Sequence, residues 1–90
     1  LQSGLKRKRY VEAEYPQQAR DKKIGGVVTV VFSVDVKGEV QDVRVLSAEP
    51  QGVFEQAAIA AVKRWRYEPP VINGAPTEVP VRMAIRFAAP

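Results

Sequence analysis

Ninety residues with an apolar share of 46% are enough for one domain with one modest core. The chain has neither Cys nor His, which removes disulfide frameworks, thiolate and imidazole metal sites and most nucleophile–base pairs. The net charge of +4 resides in the run Lys6-Arg7-Lys8-Arg9; the remaining ten Lys and Arg balance ten Asp and Glu, so the body of the chain is neutral and a poor match for nucleic acid.

In chain order, Leu1–Gly4 (LQSG) reads as a cloning or cleavage remnant. Residues 1–14 as a whole read as a basic lead-in segment, with the Lys6–Arg9 run a solvated tail or, as the alternative, a contact for an anionic surface or partner, and residues 15–90 as the domain. Pro16 to about Lys23 is a short helix candidate, with proline at the first helical position and Gly25-Gly26 ending it. Val27–Val36 alternates as a strand. Val28, Val30, Phe32, Val34 and Val36 form an apolar face, while Val27, Thr29, Val31, Ser33 and Asp35 form a mixed one. Lys37-Gly38 marks a tight hairpin, and the return strand runs from Glu39 to about Leu46. Its alternation slips between Val40 and Val43, which predicts a bulge near Gln41-Asp42. Ala48–Gln51 is a loop.

Gly52–Pro69 carries the main helix. Phe54, Ala57, Ala58, Ala61, Val62 and Trp65 recur at helical spacing and form one buried stripe. Gly52 is the expected N-cap, with Glu55 at N3 reaching back to its N–H. Pro69 holds Glu68 extended, so the helix is expected to stop near Tyr67. Residues 69–80 then read as a surface loop around Asn73, Gly74 and Pro76. Val79–Phe87 is the last strand, with Val79, Val81, Met83, Ile85 and Phe87 on one face. Pro80 cannot donate to a ladder, so this strand is expected at a sheet edge. No apolar run approaches the ~18 residues of a membrane helix.

These pieces predict an α+β fold: a three-stranded antiparallel sheet in the order second–first–third, with a short N-terminal helix and the main helix on one face. Phe32, Phe54, Ala58, Ala61 and Trp65 are its expected core. Parity around Pro80 turns the backbone groups of Val81, Met83, Ile85 and Phe87 inward and those of Arg82, Ala84 and Arg86 to the open edge. Such an edge can accept an extended peptide or pair with a second copy. It can equally be an edge blunted by Pro80, Arg82 and Arg86 against aggregation. An RNA module needs exposed aromatics on the sheet, and the central strand offers none. An enzyme without His or Cys needs gathered carboxylates; the acids are scattered, with Glu12 and Glu14 the closest pair. Nothing points to a cofactor.

Tyr15-Pro16, the pattern Gly26-Val-Val-Thr-Val-Val-Phe-Ser-Val34, Gly38–Val40, VLSAEP (Val45–Pro50), Phe54 and WRYEP (Trp65–Pro69) together resemble the TonB C-terminal domain family. The resemblance spans Tyr15 to Phe87. It implies a periplasmic domain, held at the inner membrane by an N-terminal helix and a Pro-rich linker upstream of Leu1, and driven by the proton gradient through an ExbB–ExbD motor. It also implies binding of the TonB box, a short extended segment of an outer-membrane transporter, in active uptake such as that of iron or siderophores. The implied partner-contacting residues are Pro80, Val81, Arg82, Met83, Ala84, Ile85 and Arg86, with Glu12, Ala13, Glu14 and Tyr15. Ala13 stands where the family often has proline, and the Asn73–Pro76 loop is longer than in the best-known members. Related domains also serve other envelope systems.

Overall fold

The computed structural model of the protein describes residues 5–90, so the reading of Leu1–Gly4 lies outside the described residues. Along the chain run β1 (Arg7–Arg9), α1 (Gln17–Asp21), β2 (Gly26–Val34), β3 (Val40–Glu49) and α2 (Glu55–Val62). β4 (Arg66–Tyr67), β5 (Val71–Ile72), β6 (Ala75–Pro76) and β7 (Val79–Phe87) follow. The main sheet has the order β3-β2-β7, antiparallel throughout, which is the order read from the sequence. The crossover through α2 makes β7 parallel to β3, so β7 pairs with the far side of β2.

The alternation of β2 decides the core. Val28, Val30, Phe32 and Val34 are buried and pack with Ala19, Phe54, Ala58, Val62 and Trp65. Thr29, Val31 and Ser33 are half-buried on the other face, which no helix covers. Two aromatic clusters close the ends of the core. Phe54 stacks on Phe87 at 4.4 Å, with Tyr15 edge-on to both. At the other end Phe32 meets Trp65 and Tyr67, each at 6.2 Å. Such pairs add about 0.5–1.5 kcal/mol each beyond area burial.

The strand ends where its turn chemistry begins. Val36, expected on the apolar face, is 47% exposed. The cause is Asp35: its Oδ1 accepts from the Lys37 and Glu39 N–H groups at 2.9 Å and turns the chain before Val36 can extend β2. Gln41 and these two N–H groups hold the Asp35 carboxyl below its ordinary value. Gly38 completes the turn at φ +86. In β3 the predicted bulge is present, with Asp42 at φ 57 between the pairs Val31↔Arg44 and Ser33↔Gln41. A second irregularity at Leu46 resets the register, and β3 continues through Ala48 to Glu49, beyond the expected end.

The main helix is shorter than predicted. Gly52 is not the cap; Phe54 is, and Ala58 N–H donates to its carbonyl. The Glu55 carboxylate does reach back to the Gly52 N–H, at 2.8 Å. At the other end Arg64 and Trp65 donate to the carbonyls three residues earlier, so the last turn tightens. Arg66 and Tyr67, expected in the helix, are strand. Tyr67 N–H donates to the Gly38 carbonyl and both residues pair with β1, which offers their backbone better-placed partners than a frayed helix end. The stripe itself is buried as read, with Ala57 half-covered.

The basic run is also corrected. Arg7–Arg9 forms a strand against Arg66–Tyr67, and Leu5 and Val11 pack on the core. The expected loop over residues 69–80 contains the small hairpin β5–β6, in which Asn73 and Gly74 both take positive φ, the geometry of a type I′ turn. α1 matches the short helix, with Pro16 one position earlier, at the cap. No helix of the described residues is long and apolar enough to cross a membrane.

Candidate functional site: the edge of β7

β7 is the end strand of the main sheet. Its register with β2 is continuous from Val34↔Val79 to Gly26↔Phe87. Pro80 lies inside this ladder, opposite Ser33, and not ahead of it. Which backbone groups face outward follows from one bond at the hairpin. Asp35 N–H donates to the Glu39 carbonyl at 2.9 Å, so Asp35 turns its backbone toward β3. Direction alternates along a strand. Ser33, Val31, Thr29 and Val27 therefore also face β3, and Val34, Phe32, Val30 and Val28 face β7. The β7 partners of the latter set are Val79, Val81, Met83 and Ile85. The backbone of Pro80, Arg82, Ala84 and Arg86 is left pointing away from β2.

Side chains divide by the same parity. Val79, Val81 and Phe87 are buried and Met83 and Ile85 half-buried, on the face that meets the helices. Pro80, Arg82, Ala84 and Arg86 are exposed on the other face. There Arg82 lies across from Val31 and Arg86 across from Val27; Val31 has Arg44 on its far side. Arg82, Arg44, Asp42, Ser33 and Pro80 line a shallow cleft on this uncovered face.

The second group of expected contact residues is brought to the same strand. Glu12, Ala13 and Tyr15 line a 270 Å³ cleft together with Ile85, Arg86 and Phe87. Glu14 opens instead onto a groove against α2 with Gln56 and Arg64. Tyr15 is held by its hydroxyl, which donates to the Ile24 carbonyl. The approach of this segment is set by Trp65, whose Nε1–H donates to the Val11 carbonyl at 2.8 Å.

Arg7 and Tyr10 join this region without any sequence pattern that places them there. The Arg7 guanidinium lies 4.4 Å from the Tyr10 ring and 4.7 Å from the Trp65 ring, and its Nη1 is 3.9 Å from Met83 Sδ. It therefore ties the N-terminal segment to β7. The run of four basic residues has no apolar alternation to betray a strand; the half-buried series Val11, Ala13, Tyr15 does alternate, and is the signal that was there to be read. Tyr67 lies beneath Arg7. Burial pushes its phenol above the ordinary value, while the Arg7 charge and the approach of its guanidinium, which stops short of hydrogen-bond geometry, work the other way. Among the described residues its hydroxyl has no hydrogen-bond partner, and no acidic group gathers to hold a metal ion.

The sequence matches the family described as Gram-negative bacterial TonB protein C-terminal over residues 11–89. Protein TonB of Escherichia coli K12 is 43% identical over 58 residues, which are 64% of this chain and 24% of that protein. Protein TonB of Klebsiella aerogenes is 39% identical over 66 residues, 73% of this chain and 27% of that protein. The chain thus spans about a quarter of the length of these curated relatives. The solution structure of the Pseudomonas aeruginosa TonB C-terminal domain superposes with a TM-score of 0.80 at 29% identity, covering 94% of this chain and 86% of that one. Strand order, crossover helix and sequence agree, and this chain belongs to the family of TonB protein C-terminal domains.

Proposed function

We propose that this chain is the periplasmic, partner-binding domain of an energy-transducing protein, a binding module and not an enzyme. Its partner is the TonB box of an outer-membrane transporter, taken up as an added strand on β7. Force arrives from an ExbB–ExbD motor through an N-terminal inner-membrane anchor, and serves active uptake. Family membership supports the transducer role. The observation that carries the binding mode is the edge of β7, where Pro80, Arg82, Ala84 and Arg86 turn their backbone away from the sheet.

The physics suits a contact that carries load and still releases. Four to six added main-chain bonds are worth roughly 1 kcal/mol net each. A pull along the strand loads them together, so they share the load. Glu12, Ala13 and Tyr15 border the Ile85–Phe87 end of the same edge and serve as its second wall.

Amide hydrogen exchange tests the reading. In the free domain Val81, Met83 and Ile85 exchange slowly and Arg82, Ala84 and Arg86 quickly. A synthetic TonB-box peptide slows the second set. Binding that leaves those amides unchanged moves the contact elsewhere on the domain. Absence of binding to any transporter segment assigns the domain to another envelope system.

A further inference from the structure

We infer that the partner strand is selected by charge, through Arg82 and Arg86. The edge favours an extended segment with acidic residues four positions apart and apolar residues immediately inside them. This rests on strand addition at β7.

Arg82 and Arg86 are exposed on the same face of β7, four positions apart. Within the sheet their cross-strand neighbours are Val31 and Val27, so neither faces an acid on the inner side. A strand laid on the outer side continues the face. Its residues at n and n+4 then fall directly opposite the two guanidinium groups, whichever way the strand runs. Opposite charges so placed attract and like charges repel. The residue at n+2 faces Ala84, whose small side chain leaves room for a large one. The residues at n+1 and n+3 fall on the other face, beside half-buried Met83 and Ile85, where an apolar side chain extends the core.

The two arginines are not equivalent. Arg86 shares its cleft with Glu12, which offsets part of its charge. Arg82 shares its cleft with Arg44, which stands one strand further in, roughly 10 Å away at the standard strand spacing, although Asp42 lies there as well. Arg82 is therefore the stronger determinant.

The test uses a nine-residue synthetic peptide with Asp at its second and sixth positions and Val at its third and fifth, and the same peptide with Asn in place of Asp. Fluorescence anisotropy at low salt measures affinity, and hydrogen exchange of the Arg82, Ala84 and Arg86 amides reports where each peptide sits. The Asp peptide is expected to bind about three- to tenfold more tightly than the Asn peptide, as two cross-strand charge pairs allow. The gap closes at high salt. Arg82→Glu should remove the preference more fully than Arg86→Glu, and Lys in the peptide should restore binding to the Arg82→Glu variant. Both arginines are exposed, so unchanged melting temperatures accompany these losses; Arg82→Gln gives the neutral control. Equal affinity of both peptides with the three amides slowed would overturn charge selection and leave strand addition standing. Failure of both peptides to slow the amides would overturn strand addition, and charge selection with it.

Discussion

At the residue scale, single side chains and one missing side chain hold the parts together. Gly38 has φ +86, and a Cβ there would collide with the Tyr67 carbonyl oxygen. Its own carbonyl accepts from Tyr67 N–H. Gly38→Ala is therefore strained twice, by conformation and by contact, and is expected to cost at least about 2 kcal/mol in denaturant unfolding. Trp65 is 3% exposed and bonds Val11. Trp65→Ala should cost about 3–5 kcal/mol, and an unchanged melting temperature would show that the helix face is misplaced. Tyr67 makes a subtler case. Its phenol titrates above the ordinary 10.0 in the fold. A raised folded value means this contribution is fully present below the unfolded pKa and is lost as pH rises through the folded one. Melting curves from neutral to strongly alkaline pH should fall above about pH 10. Tyr67→Phe should flatten that fall, and at neutral pH should leave stability unchanged or raise it by up to about 1 kcal/mol, since it removes a buried hydroxyl without a partner.

At the element scale, β1 is a short strap with consequences larger than its length. It supplies backbone partners to β4, its neighbour Lys6 accepts from Glu68 N–H, and Leu5 packs on the core. Arg7 adds contacts to the Tyr10 and Trp65 rings. Arg7→Ala should cost about 1 kcal/mol. A chain beginning at Tyr10 should melt lower still, because it also loses the ladder and Leu5. Retention of the full melting temperature by that shorter chain would return the Lys6–Arg9 run to the status of a solvated tail. α2 shows how neighbouring elements set each other's ends. Glu55 holds the turn at Gly52, and the Arg66 guanidinium donates to the Lys63 and Trp65 carbonyls where the helix stops.

At the scale of the whole molecule, an antiparallel sheet with an uncovered end invites self-pairing. Two copies of β7 joined antiparallel about Ala84 would set Arg82 of each against Arg86 of the other, like charges directly opposed. The domain is expected to sediment as a monomer at low salt. Arg86→Glu converts that opposition into attraction and should raise the dimer fraction; sedimentation velocity across a concentration series measures it. The two side chains proposed to select a partner strand would thus also discourage a second copy.

The alternation of β2 and β7, the stripe of α2 and the proline at Pro80 are properties of residue order, and they were legible without coordinates. Together with a crossover they leave one sensible strand order, and Pro80 marks the outer parity of the edge. The exchange behaviour of Arg82, Ala84 and Arg86 is the measurement that bears on that edge. Other features depend on where distant segments meet. Nothing in Lys6–Arg9 announces a strand, because its pairing with Arg66–Tyr67 rests on backbone groups and not on a pattern of side chains. The end of α2 was decided by the Gly38 carbonyl, brought to Tyr67 by the β2–β3 turn. The cleft joining Glu12, Ala13 and Tyr15 to Ile85 and Arg86 exists because Trp65 anchors Val11 across the core. Periodicity reports which face of an element is buried; only packing decides which unpaired backbone groups find each other, since each will take the nearest partner that spares it desolvation.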